Sequence, residues 1–222
     1  MSRPRSFADP AGGPVVDQDR HGTDMAAMED AAVAVLDGLP DWIWDCQPPV
    51  PVERIAEDRF GLRVIDTPDP STVAGAPDPG ENAHLSGLLL PARGEIWVHS
   101  GEAQRWPPRR RFTIAHELGH WILHRDAGHP VMCRAAELAG GRVITGALPD
   151  IAPADKPKER PPLPIEEAEA NAFAAALLLP AVQIRAEHAT CGGSIGRLME
   201  IFESSNAALE RRLRTLGLSW SD

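Results

Sequence analysis

The sequence of 222 residues contains no tyrosine, so no phenol is available as a hydrogen-bond or proton donor in any site that the chain forms. It contains only three cysteines, Cys46, Cys133 and Cys191, which are far apart and form no C-x-x-C pair. An odd number of widely separated cysteines argues against a disulfide framework and suits a reducing compartment.

Long apolar runs and excess positive charge are also missing. No run of 18 or more apolar residues predicts a membrane span, and the stretch from Met1 to Met28 lacks the apolar core of a signal peptide. Lysine and arginine number 22 against 32 acidic residues, for a net charge of −10, which disfavours a broad nucleic-acid surface. We therefore expect a cytoplasmic protein with no membrane partner and no direct nucleic-acid binding.

The most informative stretch runs from Arg111 to His124, reads R-F-T-I-A-H-E-L-G-H-W-I-L-H and contains the pattern H-E-x-x-H. On an α-helix, residues four apart lie on one face, one turn from each other. His116 and His120 can therefore direct two imidazoles at one tetrahedral zinc ion. Glu117, about 100° further around the helix, can act as the general base toward a water molecule that the ion activates.

The same pattern also occurs by chance, or as two histidines on a helix surface. Here the segment is apolar over most of its circumference, which predicts a buried helix. Buried polar side chains need partners. Two histidines and a glutamate on one part of a buried helix are therefore better explained by a metal than by chance.

A catalytic zinc site usually has three protein ligands and one water molecule. Candidates for the third ligand are Glu166, Glu167 and Glu169, at the start of a second predicted helix. Acidic residues also stabilise a helix N-terminus without binding anything. Taken alone, this stretch leaves both interpretations open.

Periodicity and turn residues predict helices and a small group of strands. The helices are expected over residues 25–39, 51–60, 107–124, 164–179 and 181–190, with two more within 194–216. The strands are expected over 62–66, 84–90 and 95–99. Residues 140–164 are rich in glycine and proline and predict a long connection.

Read together, the stretch 111–124 and E-A-E-A-N-A-F-A-A-A-L-L-L-P at 167–180 resemble the ImmA/IrrE family of metallo-endopeptidases. The strand stretches L-S-G-L-L-L-P and E-I-W-V-H are also similar to that family, and the resemblance covers about residues 30–216. It implies an α+β, zincin-like fold in which a small sheet packs on the metal-binding helix. We therefore predict a disordered tail over 1–24, a metallopeptidase domain over 25–192, and a helical, helix-turn-helix-like appendage packed on it over 193–222.

The resemblance also implies the residues of the site and its partner. It implies zinc as the cofactor, His116, His120 and Glu167 as its ligands, and Glu117 as the base. Asn171 lies where related zinc peptidases carry an acid that orients a ligand histidine. Family members cleave helix-turn-helix repressors of the XRE type, so we expect a regulatory peptidase with such a repressor as its substrate.

The helical period tests one part of this assignment. It places Glu169 away from the buried face of its helix but does not separate Glu166 from Glu167. Asn171 lies one turn after Glu167, and its amide oxygen can accept a hydrogen bond from a ligand histidine, for which we expect His116. This spacing favours Glu167.

Two features flank the predicted site. His124 continues the series of histidines four apart, but it lies about 12 Å along the helix axis from His116. We expect it to support the site structurally rather than bind the same ion, and the alternative is that it stabilises the oxyanion or carries a proton. The substrate is expected to lie extended beside an exposed edge strand, for which Glu95 to His99 is favoured.

Two alternatives belong to other functional classes. The segment from Ile195 to Leu216 has the outline of a helix-turn-helix DNA reader, with Arg211, Arg212 and Arg214 as its basic residues. The net charge favours a packing appendage instead. A catalytically silent zinc protein that only binds a repressor is the second alternative.

Overall fold

The structure is a computed structural model that describes residues 24–76, 85–124, 131–134 and 164–221. The predicted tail, except Asp24, and the predicted connection, except Pro164, lie outside these ranges. Within them the chain is a mixture of helices and one small sheet, which confirms the predicted α+β class.

The helices of the described residues follow the predicted segments closely. They are α1 Met25–Asp37, α2 Val52–Arg54, α3 Ser100–Arg105, α4 Pro107–His124, α5 Ile165–Leu178, α6 Ala181–Thr190, α7 Ile195–Phe202 and α8 Asn206–Thr215. α2 continues as a wider π-helical turn over Ile55–Arg59. The short helix α3 was not predicted, because six residues show too little of a 3.6-residue period to be recognised.

The sheet has four strands in the order β1-β3-β2-β4. Their bounds are β1 Arg63–Thr67, β2 Leu85–Leu90, β3 Glu95–His99 and β4 Val131–Arg134. β1 runs parallel to β3, whereas β2 is antiparallel to both β3 and β4. All six residues of β2 are buried, as expected for an apolar strand with neighbours on both sides.

The prediction that Glu95–His99 forms an exposed edge strand is wrong. β3 lies inside the sheet, because β1 pairs with it on one side and β2 on the other. A parallel pair joins segments that are far apart in sequence, so periodicity within one strand does not reveal it. The outer strands of the described sheet are β1 and β4.

The core lies on both sides of α4. One face of α4 packs on the sheet and another packs on α5, which α1 covers in turn. Side chains of α7 and α8 belong to the same hydrophobic cluster as those of the sheet and α4. The predicted boundary between residues 192 and 193 stays a prediction. No helix in the described ranges is long and apolar enough to cross a membrane.

Candidate metal centre

The helix α4 is fixed at its start by three consecutive arginines. Arg110 donates to Glu53 of α2 at 2.6 Å and to Asp66 of β1 at 3.2 Å, and so ties three elements together. The hydrogen bond from Arg110 lowers the pKa of Glu53 from its usual value, against the opposing effect of burial. Arg109 and Arg111 contact Glu102 and the Val50 carbonyl. These partners offset the cost of three cations at a helix N-terminus.

Two turns further along, α4 places its histidines and glutamate in the interior. His116 and Glu117 are 0 % exposed and His120 is 1 % exposed. The Nε2 atoms of the two histidines lie 3.1 Å apart. From α5, Glu167 brings Oε2 to 3.3 Å from His116 Nε2 and Oε1 to 3.2 Å from His120 Nε2. Potential ligand atoms of three residues therefore lie close together.

These separations fit a metal ion. In a tetrahedral zinc site with bonds of about 2.0–2.1 Å, neighbouring ligand atoms lie about 3.3–3.4 Å apart. The distances of 3.1, 3.3 and 3.2 Å are close to this separation, with Glu167 Oε2 facing His116 and Glu167 Oε1 facing His120. Two imidazole nitrogens and one carboxylate oxygen are a donor set that zinc accepts, and they leave the fourth position to a water molecule or a substrate.

The protonation states also suit a cation. Burial lowers the pKa of His120 from its usual value, which favours the neutral imidazole that a metal requires. Burial alone would raise the pKa of Glu167, but its contacts with His116 and His120 outweigh burial and lower that pKa to about 2. Glu167 is therefore an ionised carboxylate at neutral pH.

Asn171 sets the orientation of His116. Its Oδ1 atom lies 3.1 Å from His116 Nδ1. An amide oxygen only accepts hydrogen bonds, so His116 donates from Nδ1 and keeps the lone pair of Nε2 toward the centre. The helix α5 thus supplies one ligand atom and the orientation of another.

Glu117 lies against the sheet rather than among the three converging atoms. A Cβ atom added to Gly87 of β2 would meet Glu117 Oε1 at 2.7 Å and Thr113 Cγ2 at 2.5 Å. The backbone of β2 therefore approaches α4 so closely that a side chain at residue 87 would displace the Glu117 carboxylate. A glycine inside an apolar strand was the one sequence signal for this approach.

A second close approach brings α4 and α5 together. A Cβ atom added to Gly119 would lie 3.1 Å from Phe173 Cδ1 and 3.2 Å from Ala170 Cα. Ala170 lies between Glu167 and Asn171 on α5. The missing side chain of Gly119 therefore allows α5 to come near enough for both residues to reach the histidines.

The remaining candidates lie outside the converging group. Glu166 is exposed, and Glu169 lies 3.4 Å from Nε2 of His124. The His124 ring centroid is 5.6 Å from that of His120, and burial lowers the pKa of His124. His124 thus adjoins the site through His120 without joining its three donor atoms.

A family model described as the IrrE N-terminal-like domain, Peptidase_M78, matches residues 58–131 and 158–214. The first stretch contains His116, Glu117 and His120, and the second contains Glu167 and Asn171. No curated protein sequence matches the chain.

Proposed function

The chain belongs to the Peptidase_M78 family, and from this premise we propose that it is a zinc-dependent metallo-endopeptidase of the cytoplasm. The observation that supports this most directly is that His116, His120 and Glu167, all buried, each bring one possible ligand atom within 4.8 Å of the other two. Glu117 lies on the same buried turn of α4.

In this proposal His116, His120 and Glu167 hold the ion, and Glu117 handles the proton. When bound, zinc supplies a Lewis acid that activates water and polarises the scissile carbonyl. Glu117 accepts the proton of the attacking water and returns it to the leaving amine. Asn171 holds His116 in the tautomer that binds metal. Attack of water on the carbonyl gives an intermediate with a negatively charged oxygen. The chain has no tyrosine, so a group other than a phenol stabilises this oxyanion.

The sheet suggests where the peptide lies. β4 is the outer strand next to β2, and Gly87 of β2 adjoins Glu117. An extended segment that adds to β4 gains backbone hydrogen bonds at the sheet edge that is nearer to Gly87. As the substrate we propose a helix-turn-helix repressor of the XRE type, on the strength of the family resemblance.

The test is to incubate the zinc-loaded protein with XRE-type repressors from the same genome and to map the products by mass spectrometry. We expect cleavage at one or a few bonds. Glu117→Gln should retain its zinc and cleave roughly 10²-fold more slowly or worse, because only the base is lost.

Two results would contradict the proposal. Tight binding of the repressor without cleavage, with zinc present, would show a silent binding protein. Loss of zinc in Glu117→Gln, measured by elemental analysis, would mean that Glu117 is a ligand rather than the base.

A further inference from the structure

A cavity of about 510 Å³ is lined by Asn171, the residue that contacts His116. Its walls come from the start of α1, the start of α4, one face of α5, and the turn between α7 and α8 together with α8 itself. A volume of this size is within the range of sites for small organic molecules.

One wall of the cavity is apolar and formed by small side chains. Ala168, Ala172 and Ala175 line it together with Asn171, at the three- and four-residue spacing that shares one face of α5. Phe112 and Phe202 line it from α4 and from the end of α7. The alanines leave the space that larger side chains would fill.

The polar part of the cavity lining includes several arginines. Five of the described residues that line the cavity are arginines. Arg212 is matched by a carboxylate at 2.6 Å and Arg109 by one at 3.0 Å. Arg211 and Arg214 are exposed to solvent.

Arg111 differs from the other four. Its side chain is 17 % exposed, and among the described residues its ion pair is with Glu203, whose carboxylate is 3.4 Å away and itself 58 % exposed. Burial lowers the pKa of Arg111, only partly opposed by Glu203. A largely desolvated guanidinium whose described counter-ion is exposed to solvent is an incompletely compensated cation. A second anion would be stabilised at this point.

We propose that this cavity binds a small amphipathic anion, with its apolar body against the alanine face of α5 and its anionic group on Arg111. Such a ligand would also touch Asn171, whose amide oxygen accepts the hydrogen bond from His116. Binding in the cavity would then change metal affinity, a consequence that rests on the proposed zinc site.

The probe is decanoate, with decanol as its uncharged counterpart, titrated calorimetrically into the zinc-loaded full chain. Decanoate should bind at least about tenfold more tightly than decanol, the usual scale of a charge-assisted hydrogen bond. Arg111→Gln should remove this preference. Glu203→Gln should strengthen decanoate binding, because it removes the competing carboxylate.

Arg111 also donates a hydrogen bond to the Val50 carbonyl, so Arg111→Gln could alter the fold locally. A variant that fills the cavity tests the proposal without changing Arg111. Ala175→Leu should weaken decanoate binding at least about tenfold by occupying the cavity. Ala186→Leu, at an exposed position of α6 that does not line the cavity, should leave it unchanged.

Three results would overturn the proposal. They are the absence of decanoate binding, equal binding of decanol, and binding that survives Ala175→Leu and so occurs elsewhere, for example at the metal. The coupling is measured separately, as the zinc affinity in a chelator competition with and without decanoate. If decanoate binds but the zinc affinity does not change, the link through Asn171 is rejected and the anion site in the cavity stands. Decanoate binding and zinc affinity can both be measured even if the protein cleaves no peptide.

Discussion

Among its acidic neighbours on α5, Glu167 is set apart by what it touches. It is 9 % exposed and lies beside two histidines, whereas Glu169 contacts His124. We expect Glu167→Ala to abolish tight zinc binding, because one of the three proposed ligands is lost, and Glu169→Ala to leave it unchanged. Asn171→Ala should weaken zinc binding about 10–100-fold, the usual effect of removing a group that orients a ligand.

Competition with a chromogenic chelator measures all three variants on one scale. If Glu166→Ala lost zinc while Glu167→Ala kept it, the ligand would lie one residue earlier and the role assigned to Asn171 would fail with it.

Gly87 lies against Glu117, the proposed base, rather than against the proposed metal ligands. Gly87→Ala should keep zinc but reduce cleavage, because the new methyl group overlaps Glu117 Oε1 and Thr113 Cγ2. It should also destabilise the protein by about 1–3 kcal/mol, the usual cost of overpacking. Cleavage rate, zinc content and denaturant unfolding together measure these effects.

Thr113→Ser separates the two contacts, because it removes Cγ2 and leaves Glu117 in place. In Gly87→Ala combined with Thr113→Ser, we expect most of the stability to return and cleavage to stay low. Recovery of both would mean that the position of Glu117 is not limited by residue 87. Thr113→Ser alone is the control.

At the residue scale, the sequence predicts the relative positions of side chains that lie on one helix. His116, Glu117 and His120 share one helix, so their relative positions follow from the helical period. The approach of Gly87 to Glu117 joins a strand to a helix, and no local period describes that distance. The converging position of Glu167 depends on how α5 packs on α4, which its own helical period leaves open between Glu166 and Glu167.

At the scale of elements, the site depends on how closely α4 and α5 approach. Gly119→Ala should push the helices apart by a few tenths of an ångström, since its new Cβ atom would lie 3.1 Å from Phe173 and 3.2 Å from Ala170. We expect zinc affinity to fall, because Glu167 and Asn171 move with α5.

The matched control is Gly196→Ala in α7, where a Cβ atom would meet nothing within 4 Å. It should stabilise the protein by up to about 1 kcal/mol through helix propensity and leave zinc binding unchanged. Equal zinc affinity in both variants would show that the spacing of α4 and α5 is not critical.

The existence of most elements was predictable, but their arrangement was not. The apolar stretches that became β2 and β3 were recognised as strands from their own residues. The place of β1 beside β3, and the presence of β4 at the sheet edge, depend on pairing between distant segments. For this reason the edge available to a substrate was assigned to the wrong strand.

At the scale of the whole molecule, Arg212 joins the two ends of the described chain. It is 6 % exposed, forms two hydrogen bonds of 2.7 and 2.6 Å to Glu29 of α1, and donates to the Leu179 carbonyl. Of the three arginines that suggested a DNA reader, this one therefore lies in the interior.

Glu29→Leu should destabilise the protein by about 3 kcal/mol or more, because it leaves a buried cation without its counter-ion. The double change Glu29→Leu with Arg212→Met should be less harmful than Glu29→Leu alone. A denaturant-unfolding cycle measures the difference, and additive losses would show that the pair is not coupled.

The convergence of proposed ligands from α4 and α5 has a consequence for the chain as a polymer. His120 and Glu167 lie 47 positions apart in the sequence, so an ion bound by both closes a long loop. A covalent cross-link over a loop of this length would restrict the unfolded chain by about 4 kcal/mol of entropy. Bound zinc would act as a comparable but reversible cross-link, so the melting temperature should rise with the free zinc concentration and fall when a chelator removes the ion. Metal supply would then determine how long the folded chain survives, as well as whether it is active.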